Sequence, residues 1–518
     1  MIADLPAVLA PVFAPGGDER LAIRCGGRSL AYGELRRAVT AMRAELAANG
    51  VEPGDRVAFS MPKSLESVVA TLAILAAGAA YAPLDPGLSA SQVRFVLDDL
   101  RPRLFIATPS RLQALRQWED AHAETCCPLA SSQRCAVVDE RALRLTMVEA
   151  GKDGDALAPS PGLATILYTS GSTGAPKGIM LSHANVESFV AWGARTFAIR
   201  SSDRLINHAP LHFDLSIFDL FCGLGRGASV HLVDETTALF PGAVRNLVEA
   251  AGITVWYSAP TALARLQERA ALKGLDSLRL ILFAGEVFPT PILRRLMADA
   301  PRPEYANLYG PTETNVCAFY PLPGPPASDV EAIPIGWPCD HTEIRLLDGG
   351  GRDVQGGETG EICVAGPSVM QGYWARPDLT ESARLGSWRA DSYRTGDFAT
   401  RRGDGALMFA GRRDQQVKVR GRRIELTALE AVLNAHPEIR EAAALHLPAS
   451  RPGGALGVAL VAGGERLGQG AIRAYVAERL PESYAPDVVE WLDDLPRLTN
   501  GKVDRARLRC LFESMQVN

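Results

Sequence analysis

The sequence predicts a large α/β domain of layered, mostly parallel sheets with helices. A small β subdomain, a hinge and a small α+β C-terminal domain complete the fold. Three observations predict it. Apolar, strand-like runs alternate with helical segments through the first part of the chain. After about Gly350 the character changes to turn-rich sequence with short strands. Near Gly411 a dense charged stretch, GRRDQQVKVRGRRIEL, leads into a last helix–strand–strand–helix run. Strand–helix alternation argues for parallel sheets covered by helices. With 518 residues the chain is too long for one core, and two to four domains fit. The large domain is expected over 1–413, its β subdomain at about 325–410, and the small domain over 414–518.

The elements follow in order. Tyr32 to Asn49 (YGELRRAVTAMRAELAAN) has helical spacing and ends in Asn-Gly, a stop signal. DRVAFSM is a short strand. SLESVVATLAILAAG is a helix apolar on every side, and AAYAPLD follows it as a strand. The uncharged run Ser67 to Leu84 is about as long as a membrane span, but a buried helix running into a strand is the expectation. RLFIAT, ATILYTS, ASVHLVD, TVWYSAP and LRLILFAG read as further strands. GRDVQGGETGEICVAGPSVMQGYW makes the β subdomain. TALEAVLNAHPEI (helix), EAAALHLP and ALGVALVAG (strands) and IRAYVAERLP (helix) build the small domain.

Composition excludes several function classes. The chain is 47% hydrophobic and 22% charged, ordinary for a globular protein. A net charge of −5 gives no basic footprint, so no nucleic-acid partner is expected. Nine cysteines include no C-x-x-C, which favours free thiols in a reducing compartment, the cytoplasm. The N-terminus lacks a basic segment before its apolar part, so neither a signal peptide nor a membrane partner is expected. Basic residues are overwhelmingly arginine; the lysines are Lys63, Lys152, Lys177, Lys273, Lys418 and Lys502. A lysine is a compact charge that reaches a phosphoryl oxygen down a narrow opening better than a broad guanidinium, which draws attention to Lys177 and Lys502.

Lys177 stands in LYTSGSTGAPKG (Leu167 to Gly178), a loop leaving a strand. Ligands on parallel sheets bind at such loops. The sequence is not a Walker A loop, because Pro176 precedes the lysine and Gly178 follows it. Its glycines permit close backbone approach, and the hydroxyls of Thr169, Ser170, Ser172 and Thr173 can donate. Local chemistry leaves a phosphate cradle and a plain linker both open.

The order of several motifs says more. After the loop come HFDLSIFDLF (His212–Phe221), NLYGPTET (Asn307–Thr314), GEICVAGPSVMQGYW (Gly360–Trp374), YRTGD (Tyr393–Asp397), GRRDQQVKVRGRRIEL (Gly411–Leu426) and NGKVDR (Asn500–Arg505). With LAYGEL and ILAAGAAYAPLDP before them, the series resembles the core motifs of adenylate-forming enzymes over nearly the whole chain. Within that superfamily it resembles the amino-acid-activating adenylation domains of nonribosomal peptide synthesis.

The resemblance implies a ligase that works in two half-reactions. A carboxylate attacks the α-phosphate of Mg·ATP, and the acyl group then passes from AMP to the phosphopantetheine thiol of a carrier protein. By that resemblance Thr169, Ser170, Gly171, Ser172, Thr173, Gly174 and Lys177 grip the β- and γ-phosphates. Glu313 holds Mg²⁺, a cation that takes oxygen ligands, and Thr312 donates to the α-phosphate. Asn307 bonds the adenine amino group, Tyr309 stacks on the ring with Gly285 and Glu286 beside it, and Phe409 covers the other side. Asp397 accepts from the ribose hydroxyls, and Arg412 adds a ribose or phosphate contact. Lys502 reaches in from the small domain to the carboxylate and the developing phosphate charge. Taken alone, Asp397 also suits an ordinary turn, Glu313 a helix start and Lys502 a turn after Asn-Gly. The small domain would rotate between half-reactions about Asp414, withdrawing Lys502 and bringing in the Lys418–Gly421 loop. Gly421 would let pantetheine pass, and His212 would gate its path.

Asp214 speaks to the substrate. It matches the carboxylate that pairs with a substrate ammonium, and a buried acid without such a partner is costly. The competing reading is a cap on the helix SIFDLF. The aligned pocket reads Asp214, Leu215, Phe218, Tyr257, Leu282, Ala284, Leu308, Val316 and Cys317, closed by Lys502. It is compact and apolar beyond Asp214, which disfavours charged side chains. The string is similar to that of free-standing prolyl-carrier-protein ligases of pyrrole-forming antibiotic pathways. L-proline is the expected substrate; valine, alanine and pipecolate stay open, since apolar pockets discriminate weakly. With no G-G-x-S segment in the sequence, the carrier is expected to act in trans. The alternatives are a coenzyme A ligase and a binding protein that kept only the fold.

Overall fold

In a computed structural model, the described residues are 10–14, 16–121, 134–139, 143–149, 160–169, 176–269, 271–330, 332–412, 416–420, 422–447, 454–497 and 503–515. Two large mixed sheets, parallel at their centres, carry the first part of the chain. The nine-stranded sheet runs, edge to edge, Trp337–Pro338, Ala318–Leu322, Glu304–Tyr309, Leu280–Ala284, Val255–Ser258, Arg204–Asn207, Ser229–Leu232, Leu21–Cys25 and Arg28–Ala31. Its pairs are parallel from Glu304–Tyr309 across to Leu21–Cys25 and antiparallel beyond. The eight-stranded sheet runs Gly372–Tyr373, Lys177–Ser182, Leu163–Thr169, Ala80–Pro83, Arg56–Ser60, Leu104–Ala107, Cys135–Asp139 and Arg144–Glu149.

Side chains alternate between the two faces of a strand, and here the alternation sorts the cores. Leu205, Val230, Tyr257, Leu280 and Leu282 of the first sheet share one core with Val57, Phe59, Leu104 and Ile106 of the second. The helices Tyr32–Ala48, Leu65–Ala76 and His183–Thr196 contribute to that same core and lie between the sheets. The opposite face of the first sheet turns Ile206, Trp256, Ile281 and Phe283 toward the helices Pro241–Ala251, Pro260–Glu268 and Thr290–Asp299. The outer face of the second sheet packs on Ala90–Leu100 and Pro109–Ala121. Every residue of Leu65–Ala76 is buried; Thr71 donates to the Ser67 carbonyl and Glu66 pairs with Arg28. No helix among the described residues is long and apolar enough to cross a membrane.

A four-stranded antiparallel sheet follows, formed by Glu343–Leu347, Thr359–Ala365, Ser392–Arg401 and Leu407–Arg412. One part of the expected β subdomain lies elsewhere. Gly372–Tyr373 pairs with Met180 and Ile179 at the edge of the eight-stranded sheet, so the GYW end of that motif belongs to the larger layer. The remaining chain forms a two-stranded hairpin, Gln416–Val419 with Arg422–Glu425, and a three-stranded sheet with helices Leu426–Asn434, Gln469–Ala477 and Arg505–Met515. Its apolar clusters draw only on its own residues, which makes it a separate small domain.

Candidate functional site

A cavity of about 470 Å³ opens where strand ends from both large sheets converge. His208, Ser258, Gly285 and Gly310 line it, each just past the carboxyl end of a strand of the nine-stranded sheet. Leu84, Asp85 and Thr169 line it from the corresponding ends of the eight-stranded sheet. That is where parallel α/β sheets place ligands. The backbone there is tightly drawn. A Cβ on Gly310 would sit 1.7 Å from the Asn315 carbonyl oxygen, so only glycine fits, and Gly285 holds φ +97°.

On the acyl side the cavity meets Asp214, Leu215, Tyr257, Ala284 and Val316. Asp214 takes the N-cap position of the short helix Leu215–Ile217, yet its side chain makes no capping hydrogen bond. The SIFDLF segment is not one helix: a π-helical turn, Phe218–Cys222, interrupts it, a form found often at functional sites. Phe218 is fully buried, its ring edge-on to Tyr257 at 5.4 Å, so it backs the pocket wall rather than facing the cavity. Leu282, Leu308 and Cys317 are buried beside that wall and likewise do not reach the cavity. Phe189, from helix His183–Thr196, does line it, and motif order gave no sign of this residue. Burial and the Asp214 charge push the Tyr257 hydroxyl well above its ordinary value, so it stays protonated and can donate.

On the other side, Asp397 is buried mid-strand in Ser392–Arg401, not in a turn. The Tyr309 hydroxyl donates to its Oδ2 at 2.6 Å, and the cross-strand partner Arg412 donates to its Oδ1. Asp397, Arg412, Tyr309 and Thr312 all line the cavity. The Phe409 ring lies 6.4 Å from that of Tyr309. The Asn307 amide is oriented by donating to the Pro334 carbonyl at 2.8 Å. The Glu286 carboxylate accepts from the Thr261 N–H at 3.0 Å and also from its hydroxyl. Thr169 Oγ1 is buried, has no hydrogen-bond partner among the described residues, and belongs to a cavity-lining residue.

Lys177 and Glu313 form a cluster together with two residues that had no assigned role. Lys177 donates to the Tyr373 oxygen at 3.1 Å and lies 3.5 Å from Glu313 Oε1. The Tyr373 hydroxyl donates to Glu313 at 2.9 Å and stands 3.1 Å from that of Tyr393. Glu313 is fully buried, in a turn rather than at a helix start. Tyr373 and Tyr393 sit inside quoted motifs, but only the fold shows that they meet.

The small domain closes the cavity with Val417, Arg420, Arg422, Leu480, Pro481 and Tyr484. Opposite stands His212, whose Nε2 lies 3.4 Å from Asp85 Oδ2. Burial pushes the His212 imidazole down to about 4, so it is neutral at pH 7. Burial works to raise the Asp85 carboxyl, but His212 where it is protonated, the Arg422 charge and the Gly87 N–H outweigh it and hold the group below its ordinary range. Ser170, Gly171, Ser172, Thr173, Gly174, Asp414, Gly421 and Lys502 lie outside the described residues.

Known proteins match this chain along most of its length. The family model described as AMP-binding enzyme matches residues 13–374, and that of the AMP-binding enzyme C-terminal domain matches 428–502. An L-proline--[L-prolyl-carrier protein] ligase from Pseudomonas fluorescens is 37% identical over 93% of this chain and 94% of its own. One of the same name from Streptomyces coelicolor is 38% identical over 93% and 92%. The solved structure of the amide bond synthetase McbA from Marinactinospora thermotolerans superposes with a TM-score of 0.83 at 25% identity, covering 98% of this chain and 99% of that one. Two large sheets with a shared cavity, a small domain at its mouth and these matches agree: the chain belongs to the AMP-binding enzyme family.

Proposed function

We propose that this chain uses ATP to activate L-proline as prolyl-AMP and then loads the prolyl group onto the phosphopantetheine thiol of a separate peptidyl carrier protein. The setting is cytoplasmic secondary metabolism that builds a pyrrole-type unit. The observation that carries the substrate class is Asp214. It is an acid on an otherwise apolar acyl wall, placed at a helix start that it does not cap. A substrate ammonium would pair with such an acid. Proline suits the space that Tyr257, Ala284, Val316 and Phe189 leave, and the two relatives named as prolyl-carrier-protein ligases, matched almost end to end, support it.

In the first half-reaction a substrate carboxylate oxygen bonds the α-phosphorus and pyrophosphate departs with the electrons of the broken P–O bond. Asp214 fixes the amine. Thr312 and Lys502 face the phosphate charge that develops, where a positioned donor does most. Thr169, Ser170, Gly171, Ser172, Thr173, Gly174 and Lys177 hold the leaving phosphates, and the unpartnered Thr169 hydroxyl is fitted to donate there. Tyr309, Phe409, Asn307, Gly285 and Glu286 frame the adenine, while Asp397 and Arg412 meet the ribose. The chemistry of the donor set fits Mg²⁺. Glu313 offers a buried carboxylate, and among the described residues no group of three or more His, Cys, Asp or Glu could hold a metal, so phosphate oxygens and water would complete its shell. When bound, the ion neutralises phosphate charge. In the second half-reaction the small domain, hinged at Asp414 with the division at 413/414, presents its hairpin and Gly421 to the pantetheine path beside His212.

Amino-acid-dependent pyrophosphate exchange across the proteinogenic set plus pipecolate tests the reading. L-proline is expected to give the highest rate. A preference for an aromatic or charged amino acid would overturn the pocket assignment.

A further inference from the structure

One contact ties the small domain to the large one at the mouth of the cavity. Arg422 Nη1 donates to Asp85 Oδ2 at 3.3 Å, the same oxygen that lies 3.4 Å from His212 Nε2. We propose that Arg422 is a positioning residue for thiol transfer: it docks the small domain's hairpin onto Asp85 and so holds the transfer arrangement together around His212. This rests on the two-step reading above.

Four observations carry it. Among the described residues each apolar core is drawn from one domain only, so no shared core fixes their relative orientation. The hairpin is made firm within its own domain: Arg420 pairs with Asp487, and the Glu425 N–H donates to the Tyr484 hydroxyl at 3.2 Å. Arg422 is therefore presented on a rigid unit. Asp85 is likewise prepared, because the Gly87 N–H donates to its Oδ1 at 2.8 Å and leaves Oδ2 for the incoming guanidinium. The cluster's charges favour the same partner. His212 is neutral at pH 7, and half-buried Arg111 adds a weaker field on Asp85 than Arg422 does, so Arg422 is the full positive charge at contact.

The consequence is specific to one half-reaction. In transfer the pantetheine thiol gives up its proton to solvent, its sulfur bonds the acyl carbon, and the carbonyl–oxygen bond to AMP breaks with its electrons leaving on the nucleotide. That path runs past His212 while the hairpin is docked. Adenylate formation needs Lys502 at the site instead, and the Arg422–Asp85 contact has no part in it.

The test compares Arg422→Gln, Arg422→Lys and Asp85→Asn in the full chain, by L-proline-dependent pyrophosphate exchange and by loading of a phosphopantetheinylated carrier. Arg422→Gln is expected to lower loading about five- to tenfold and to leave exchange within about twofold, since partly exposed pairs couple modestly. Arg422→Lys is expected to recover part of the loading rate. Combining Arg422→Gln with Asp85→Asn is expected to cost less than the sum of the two. Unchanged loading in Arg422→Gln overturns the proposal. An equal fall in loading and exchange also overturns it, by showing a general structural role. Absence of exchange with any amino acid in the unsubstituted chain would instead remove the two-step reading, and this inference with it.

Discussion

Tyr257, Ala284 and Tyr309 reach the cavity from strands of a nine-stranded sheet buried between two helical layers. Val417, Arg420 and Arg422 reach the same cavity from a two-stranded hairpin whose apolar support lies wholly in the small domain. The first wall is part of a large-domain core; among the described residues the second shares no apolar core with it. On the proposed two-step reading, the difference teaches how one cavity would serve two reactions. Groups that recognise the amino acid and the nucleotide would sit on the wall built into the core, and groups needed in one half-reaction would ride on the small domain.

The sharpest way to break this comparison is Lys502→Ala. Adenylate formation, read by pyrophosphate exchange, is expected to fall by about 10²- to 10³-fold, the effect of removing one preorganised charge. Transfer of a supplied prolyl-AMP to the carrier should survive. Equal loss of both would show that the small domain does not divide its duties.

A smaller effect should separate the walls by pH. In the large domain, burial lowers the imidazole of His208 to about 3 and those of His212, His231 and His341 to about 4, each from an ordinary value of 6.5. The unfolded chain then binds more protons than the folded one between about pH 4 and 6.5. Stability is whole above that window and is lost as pH falls through it. Each group contributes about 1.4 kcal/mol per pH unit below its ordinary value. Burial moves His446 of the small domain the same way. Thermal unfolding at pH 7 and pH 5.5, with peptide-resolved hydrogen exchange, should show a lower Tm in acid and earlier opening of the large domain. An unchanged Tm would mean that these rings are hydrated.

Much of the fold is legible because local pattern and burial agree. The run Leu65–Ala76 reads as a buried helix because apolar residues fill most of it; its one acid, Glu66, pairs with Arg28. The strands Val255–Ser258 and Leu280–Ala284 read as strands because they are short, apolar and bounded by breakers. Within the site, Asp214, Tyr257, Ala284 and Val316 of the aligned pocket line the cavity. What escaped depends on contacts distant in sequence. Arg422 meets Asp85 across 337 positions, and Tyr373 reaches Glu313 across 60. Phe189 faces the pocket only because its helix lies between two sheets. The π-helical turn at Phe218–Cys222 has the same apolar spacing as an ordinary helix, so nothing local announces it. The resemblance implies Phe218 in the aligned pocket; in the structure its buried ring packs edge-on against Tyr257, which itself lines the cavity.

The most direct measurement is a crystal structure of the chain with a non-hydrolysable prolyl-adenylate analogue. The pyrrolidine nitrogen is expected within about 3 Å of an Asp214 carboxylate oxygen, ordinary hydrogen-bond distance, with the ring against Tyr257 and Val316. An Asp214 side chain turned away from the acyl pocket, or an amine held by another group, would contradict the account of which acid this protein activates.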